Sequence, residues 1–354
     1  MKGAKKIGRR LACAGAVALV LSGMIGSGLA ADDTGSSGEV VFTDYSPLSS
    51  NVELARRLLS PLKSAELPIL VAQSGKRLRD QPVDLAQEKF VVYVPAGTPP
   101  NGYGLLVFVP PWDNARIPDG WAAIFDEYGF IFVSAAQSGN DMNPIARREP
   151  LALLAETNVV KRYRVDPDKT FIGGFSGGSR IAMRLALAYP DVFRGAFLDA
   201  GSDPIGNAIT PIPSRDLFVR FQERSRLVYV TGEQDLMPSA ADVASMRSMR
   251  AWCVFNTEKR TVSNIGHDAA PPTALAQALE TLLAPVVPDE RLSSCRATID
   301  QELTGKLQQV QALITSGKTD EARALLTAVD STYGGLAVPE SVELSGVLGL
   351  PASQ

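Results

Sequence analysis

Lys89–Val94, Leu105–Val109, Phe130–Ser134, Thr170–Gly173, Gly195–Leu198 and Leu227–Val230 are short, nearly unbroken apolar runs. Runs of this length without polar alternation suit strands that are buried on both faces. Between them, Ser179–Tyr189, Ala240–Val254 and Thr273–Leu283 carry apolar residues at helical spacing. Strands of this kind alternating with helices predict an α/β architecture, a mostly parallel sheet with helices on both faces.

Three stretches break the rhythm. Residues 32–38, Asp-Asp-Thr-Gly-Ser-Ser-Gly, read as a flexible segment. Residues 204–225 contain Pro204, Pro211 and Pro213 and form a long connection, which predicts a lid, a binding loop or a disordered stretch. Beyond Pro288 the strand pattern stops, and Leu303–Ile314 and Asp320–Val329 read as a helical hairpin. Its turn is Ser316-Gly317-Lys318, with Gly317 suited to a C-cap and Thr319 to an N-cap. The hairpin is expected to pack on the main body rather than to act as a separate binding module. It is the one repeat-like feature found.

The first 30 residues differ from the rest. Lys2, Lys5, Lys6, Arg9 and Arg10 precede an uncharged run, Leu11–Leu21, and Gly28-Leu-Ala30 offers small residues for cleavage. This order predicts an export signal removed near Ala30, for a periplasmic or secreted protein; an uncleaved anchor is the alternative. Cys13 is poorly placed for lipidation, and Arg9-Arg10 is a weak twin-arginine signal.

Cleavage changes two properties. It removes five basic residues and no acidic one, taking the formal net charge from −3 to −8. A mildly acidic protein is a poor partner for nucleic acid or an anionic membrane, and no stable membrane insertion is expected once the signal is gone. Cleavage also leaves Cys253 and Cys295, an even pair that reads as one disulfide in an oxidising compartment or as two buried thiols. The remaining composition, 45% apolar and 21% charged, is that of an ordinary globular protein able to build a core unaided.

The strongest local signal for chemistry is Gly174-Phe-Ser-Gly-Gly178, a G-x-S-x-G pattern lying between a predicted strand and a predicted helix. A serine at the tip of so sharp a turn needs small neighbours, and the following helix aims free N–H groups at developing negative charge. A serine hydroxyl needs a base. His267, in Ser263-Asn-Ile-Gly-His-Asp268, is the only histidine of the chain. Asp235 follows the run Leu227–Val230 after a glycine turn and would hold the imidazole in the right tautomer. Glu233 and Asp203 are weaker rivals.

An oxyanion hole needs two donors. Gly177 supplies one N–H, and Trp112, the first residue with an N–H after Pro110-Pro111, is the nearest candidate for the other. Trp112 also reads as an aromatic pocket wall. Phe175, Asn140 and Asp141 are candidate pocket residues, Asn140 and Asp141 equally readable as solvated loop positions.

Tyr163-Arg-Val-Asp-Pro-Asp168, Gly174–Gly178 and Tyr189-Pro-Asp-Val-Phe-Arg-Gly195 together resemble the polyhydroxybutyrate depolymerase and feruloyl esterase branch of the α/β-hydrolases, most clearly over residues 105–270. The resemblance implies the α/β-hydrolase fold and carboxylic-ester hydrolysis through an acyl-enzyme, with Ser176, Asp235 and His267 as the triad. With the N-terminal pattern and the end of the strand pattern, the chain divides into a signal peptide (1–30), a hydrolase domain (31–290) and a C-terminal helical extension (291–354). The family's usual His-Gly is replaced by Pro110-Pro111, Ser138–Asp141 with Arg147-Arg148 points to a side branch and reads equally as site-lining or as solvated loop, and no segment reads as a polymer-binding module. A small or polymeric ester is the expected substrate, without metal or organic cofactor, one histidine and two cysteines being too few for a typical zinc site. The oligomeric state is left open. The other readings are a peptidase or thioesterase on the same triad, and a catalytically weak member of the fold that binds or assembles.

Overall fold

The computed structural model describes residues 34–75 and 77–350. The export-signal expectation, with Cys13 and Arg9-Arg10, concerns residues outside these. Among the described residues eight strands form one sheet: β1 (Ser36–Val40), β2 (Phe90–Val94), β3 (Tyr103–Val109), β4 (Phe130–Ala135), β5 (Val165–Phe175), β6 (Gly195–Asp199), β7 (Arg226–Gly232) and β8 (Thr257–Val262). Their order is β1-β2-β4-β3-β5-β6-β7-β8. β1 and β2 run antiparallel to their neighbours, and all other pairs are parallel. Sequential crossovers through helices, with an antiparallel second strand, make this the α/β-hydrolase fold.

The period-2 geometry of a strand explains the unbroken apolar runs. Leu105, Val107 and Val109 of β3 face one core, while Leu106 and Phe108 face the other. β7 repeats this with Leu227 and Tyr229 against Val228 and Val230.

Among the described residues eleven α-helices accompany the sheet. α1 (Asn51–Leu58), α2 (Pro61–Gln73), α3 (Trp121–Tyr128) and α4 (Glu149–Arg162) precede the central crossover, and α5 (Gly177–Ala188), α6 (Arg215–Arg224), α7 (Leu236–Ala251) and α8 (Pro272–Leu283) follow. α9 (Leu292–Thr315), α10 (Thr319–Tyr333) and α11 (Glu340–Val347) complete the described chain. α3 and α8 cover one face through Trp121, Phe125, Leu275 and Leu279. α4 and α5 cover the other, where Leu154 and Leu185 are fully buried.

The structure corrects several expectations. Ser36–Val40, inside and beside the segment read as flexible, is β1, pairing Ser36 with Val94 through Val40 with Phe90. β8, Thr-Glu-Lys-Arg-Thr-Val, was not anticipated. Both are edge strands, whose pairing needs one partner and little apolar surface. The connection 204–225 contains α6, which buries Leu217, Phe218 and Phe221. α10 starts at Thr319 itself, with Lys318 at the cap position and no side-chain cap. Gly317 does adopt a positive φ, +75°, as a C-terminal glycine should.

The last helices share the main core. Leu292, Ile299 and Leu303 of α9 and Val329 and Tyr333 of α10 belong to the cluster under β3 and β7. Farther out, Val310, Ala322 and Leu326 pack with Leu62, Leu344 and Leu348. Cys253, just after α7, is joined by a disulfide to Cys295 in α9. Among the described residues no helix is long and apolar enough to cross a membrane.

Candidate active site

The site lies at the carboxyl ends of the central strands, where open α/β sheets hold ligands. β5 ends at Phe175, and Ser176 turns the chain into α5 with φ +56° and ψ −121°. A non-glycine residue in that region is strained and persists because its surroundings hold it. The flanking glycines allow it. A β-carbon on Gly174 would collide with the Gly178 backbone, and one on Gly178 with the Val109 carbonyl. Only hydrogen at these positions lets α5 approach β3 and β5 so closely.

Asp235 and His267 come from neighbouring loops laced together by backbone bonds. After β7, Asp235 N–H donates to the Gly232 carbonyl (3.1 Å) and Gln234 N–H to Ile265 (3.0 Å). The segment after His267 is held from both sides: Ala270 N–H donates to Asp199 (2.8 Å), and Trp121 Nε1–H donates to the Ala270 carbonyl (2.8 Å). Asp199 is fully buried, and that burial raises its carboxyl well above the usual range.

The three side chains meet. His267 Nδ1 lies 2.6 Å from Asp235 Oδ2, and His267 Nε2 lies 2.9 Å from Ser176 Oγ. An ionised carboxylate only accepts, so Nδ1–H donates to Asp235 and Nε2 is left to accept from Ser176 Oγ–H. Asp235 is 9% exposed, while Ser176 is partly open. The Phe175 ring sits 5.0 Å from the imidazole. The rival acids are engaged elsewhere: Glu233 accepts from Asn264 N–H (3.2 Å), and Asp203 lies 3.6 Å from Arg180.

Gly177 is the first residue of α5, so its N–H has no intrahelical acceptor. The loop after β3 is tied to the loop after β4: Asn140 N–H donates to Pro111 (3.0 Å), Gln137 N–H to Asp113 (2.7 Å) and Gly139 N–H to the Asp113 carboxylate (3.2 Å). These bonds bring the Asn140 carboxamide against Gly177, where a β-carbon would strike it. The Trp112 ring packs on Phe108 and Phe175, with the Arg116 guanidinium 4.5 Å above it.

Two clefts flank His267. One, of about 650 Å³, holds Ser176, Gly177 and Asn140; the other, of about 550 Å³, holds Trp112 and Phe175. Asp141 is exposed and lines neither. Arg148, read in the sequence as a residue lining the site or as a solvated loop position, lines the first cleft, and sequence reasoning missed two further basic wall residues, Arg180 and Arg184. Arg180 and Arg184 follow Ser176 at intervals of four in a helix, so their shared face was readable in principle. The sequence left Arg148 between wall and solvent, since its place depends on folding of the 138–148 loop. Among the described residues no group of three or more His, Cys, Asp or Glu side chains is arranged to hold a metal ion.

Strand order and site geometry thus define an α/β-hydrolase-fold protein with a Ser-His-Asp constellation. Over part of its length it is similar to polyhydroxyalkanoate depolymerases. It is 27% identical over 139 residues to a poly(3-hydroxybutyrate) depolymerase of Ralstonia pickettii, covering 32% of this chain and 28% of that one. It is 29% identical over 124 residues to poly(3-hydroxyalkanoate) depolymerase C of Paucimonas lemoignei, covering 31% and 30%. The chain therefore spans under a third of the length of these curated relatives. No family model matches. Similar solved structures include a ferulic acid esterase (17% identity, TM-score 0.41, covering 55% of this chain and 90% of that one). Another is the S-formylglutathione hydrolase FrmB of Staphylococcus aureus (14%, 0.44, 56% and 93%).

Proposed function

We propose that this protein is an exported serine hydrolase that cleaves carboxylic esters through an acyl-enzyme. One observation carries the reading: the unbroken relay from Asp235 through His267 to Ser176, at 2.6 and 2.9 Å. Ser176 Oγ attacks the ester carbonyl carbon while His267 Nε2 takes its proton, and Asp235 steadies the imidazolium. The oxyanion is held by the N–H groups of Gly177 and Trp112, the first reinforced by the positive end of α5. Collapse expels the alcohol, which takes the proton back from His267. Water then repeats the sequence on the acyl-enzyme and frees the acid.

The partial likeness to proteins named as poly(3-hydroxyalkanoate) depolymerases favours esters of hydroxy acids, small or polymeric, as the substrate class. The N-terminal charge pattern and the Cys253–Cys295 bridge favour an oxidising compartment outside the cytosol. The second reading, a fold member that binds without turnover, draws on Pro110-Pro111, which removes two N–H groups from the oxyanion loop.

A fluorophosphonate probe separates the two. Folded wild-type protein should label covalently and Ser176→Ala should not. Equal absence of label from both, with intact circular dichroism, refutes the enzyme reading and leaves the binding one.

A further inference from the structure

The cleft beside Ser176 has an unusual wall for an ester site: three guanidinium groups and a single lining carboxylate, Asp203. Arg184 is satisfied internally. Its Nε lies 2.7 Å from the fully buried Glu149, and its Nη1 donates to the Ile209 carbonyl (2.5 Å). Arg148 is different. It is 4% exposed and donates to three carbonyls, of Ser138 (2.9 Å), Pro110 (2.9 Å) and Gly177 (3.4 Å). Among the described residues it forms no ion pair with any carboxylate. Burial lowers its pKa only to about 10, so it is a cation at neutral pH. Its nearest countercharge is the neighbouring Glu149, which is bonded to Arg184 instead, and a buried cation without a direct carboxylate partner projects its field into the cavity.

Arg180 is the group a ligand can reach. Its side chain is 52% exposed, and its one ion-pair contact, Asp203, is long at 3.6 Å. It stands four residues after Ser176, about 6 Å further along the axis of α5. Ile181, Ile209 and Met237 line the space around it and suit a short aliphatic spacer.

We infer that this cleft is a carboxylate subsite, so that the preferred esters carry a free carboxylate a few bonds from the scissile carbonyl, received by Arg180 in the field of Arg148. The inference rests on the ester-hydrolase reading and narrows its substrate class to anionic esters, such as monoesters of dicarboxylic acids or acyl esters of hydroxy acids. An Arg–carboxylate contact is planar and charge-assisted, which makes it selective as well as attractive.

Paired substrates that differ only in charge test it. One pair is the 4-nitrophenyl monoester of glutarate and its methyl-capped diester; the other is 3-(butanoyloxy)propanoate and its methyl ester. In at least one pair kcat/KM should favour the carboxylate by about tenfold or more, as expected for one partly exposed charged contact. Arg180→Gln should shrink that ratio to about threefold or less, and Asp203→Asn should enlarge it by removing the competing carboxylate. Ratios within each variant cancel any loss of folded enzyme. Equal rates within both pairs overturn the inference.

A binding measurement keeps the two proposals apart. Ser176→Ala protein is titrated calorimetrically with monomethyl glutarate and with dimethyl glutarate. Tighter binding of the monoester, abolished by adding Arg180→Gln, supports the subsite even if Ser176 proves unreactive towards the phosphonate. Equal binding of the two esters to Ser176→Ala, with wild-type protein that does label, removes the subsite and leaves the hydrolase reading standing.

Discussion

Replacing Asp235 by Asn tests the relay most sharply, because it alters one atom and leaves the shape. Asp235 Oδ2 accepts from His267 Nδ1–H at 2.6 Å in a nearly buried position. A carboxamide turned with its NH₂ towards Nδ1 donates instead, which leaves the proton on Nε2, the nitrogen 2.9 Å from Ser176 Oγ. His267 would then present a donor where the mechanism needs an acceptor. Such a tautomer error costs about 10⁴-fold in kcat, or about 5.5 kcal/mol of barrier.

The fold should tolerate the change. The backbone bond from Asp235 to Gly232 stays, and a negative charge that helps to raise the carboxyl pKa of Asp199 and of Asp242 is removed. The assay is hydrolysis of a 4-nitrophenyl ester together with the rate of phosphonate labelling, each beside a thermal melt. Asp235→Asn that melts like wild type and keeps activity within about tenfold of it would refute the assignment of the acid, since orientation by this carboxylate supplies far more than that.

Other outcomes follow from groups around the site. Arg184→Leu leaves the fully buried Glu149 without its cation and should destabilise the fold by about 3 kcal/mol in urea titration, with part of the loss recovered by adding Glu149→Gln. Reducing the Cys253–Cys295 bridge, which spans 42 residues, should cost about 4 kcal/mol on the chain-entropy model, read as a lower melting temperature with reductant. Burial pushes the Glu156 carboxyl up to about 7 from its usual 4.5. The folded form therefore keeps a proton that the unfolded form releases, so this group's contribution to stability is highest below about pH 4.5, falls as pH rises towards 7 and is flat above. Glu156→Gln should remove that slope and raise stability at pH 8 by about 1–3 kcal/mol, measured by denaturant unfolding across pH.

The sequence by itself determined the central sheet and pointed to the three side chains, Ser176, Asp235 and His267, that the fold brings into hydrogen-bond contact. The inner strands were legible because burial on both faces forces unbroken apolar runs such as Leu105–Val109. The relay was legible because a chain with one histidine, preceded by a strand-end aspartate and a glycine-flanked serine, offers a single order in which such groups occur. The edge strands were not. Ser36–Val40 and Thr257–Val262 are polar or glycine-bearing, and they pair through backbone bonds that demand no particular side chain.

Only the tertiary structure decided what surrounds Ser176. In the sequence Arg148 reads equally as a site-lining or a solvated loop residue, and nothing singles out Arg180. They become the wall of a cleft because the 138–148 loop folds back onto Pro110 and Gly177, while the strained turn at Ser176 sets α5 beside it. Periodicity records which face of an element is buried. It does not record which two loops, far apart in the chain, will close around one cavity, because that depends on contacts summed over the whole fold.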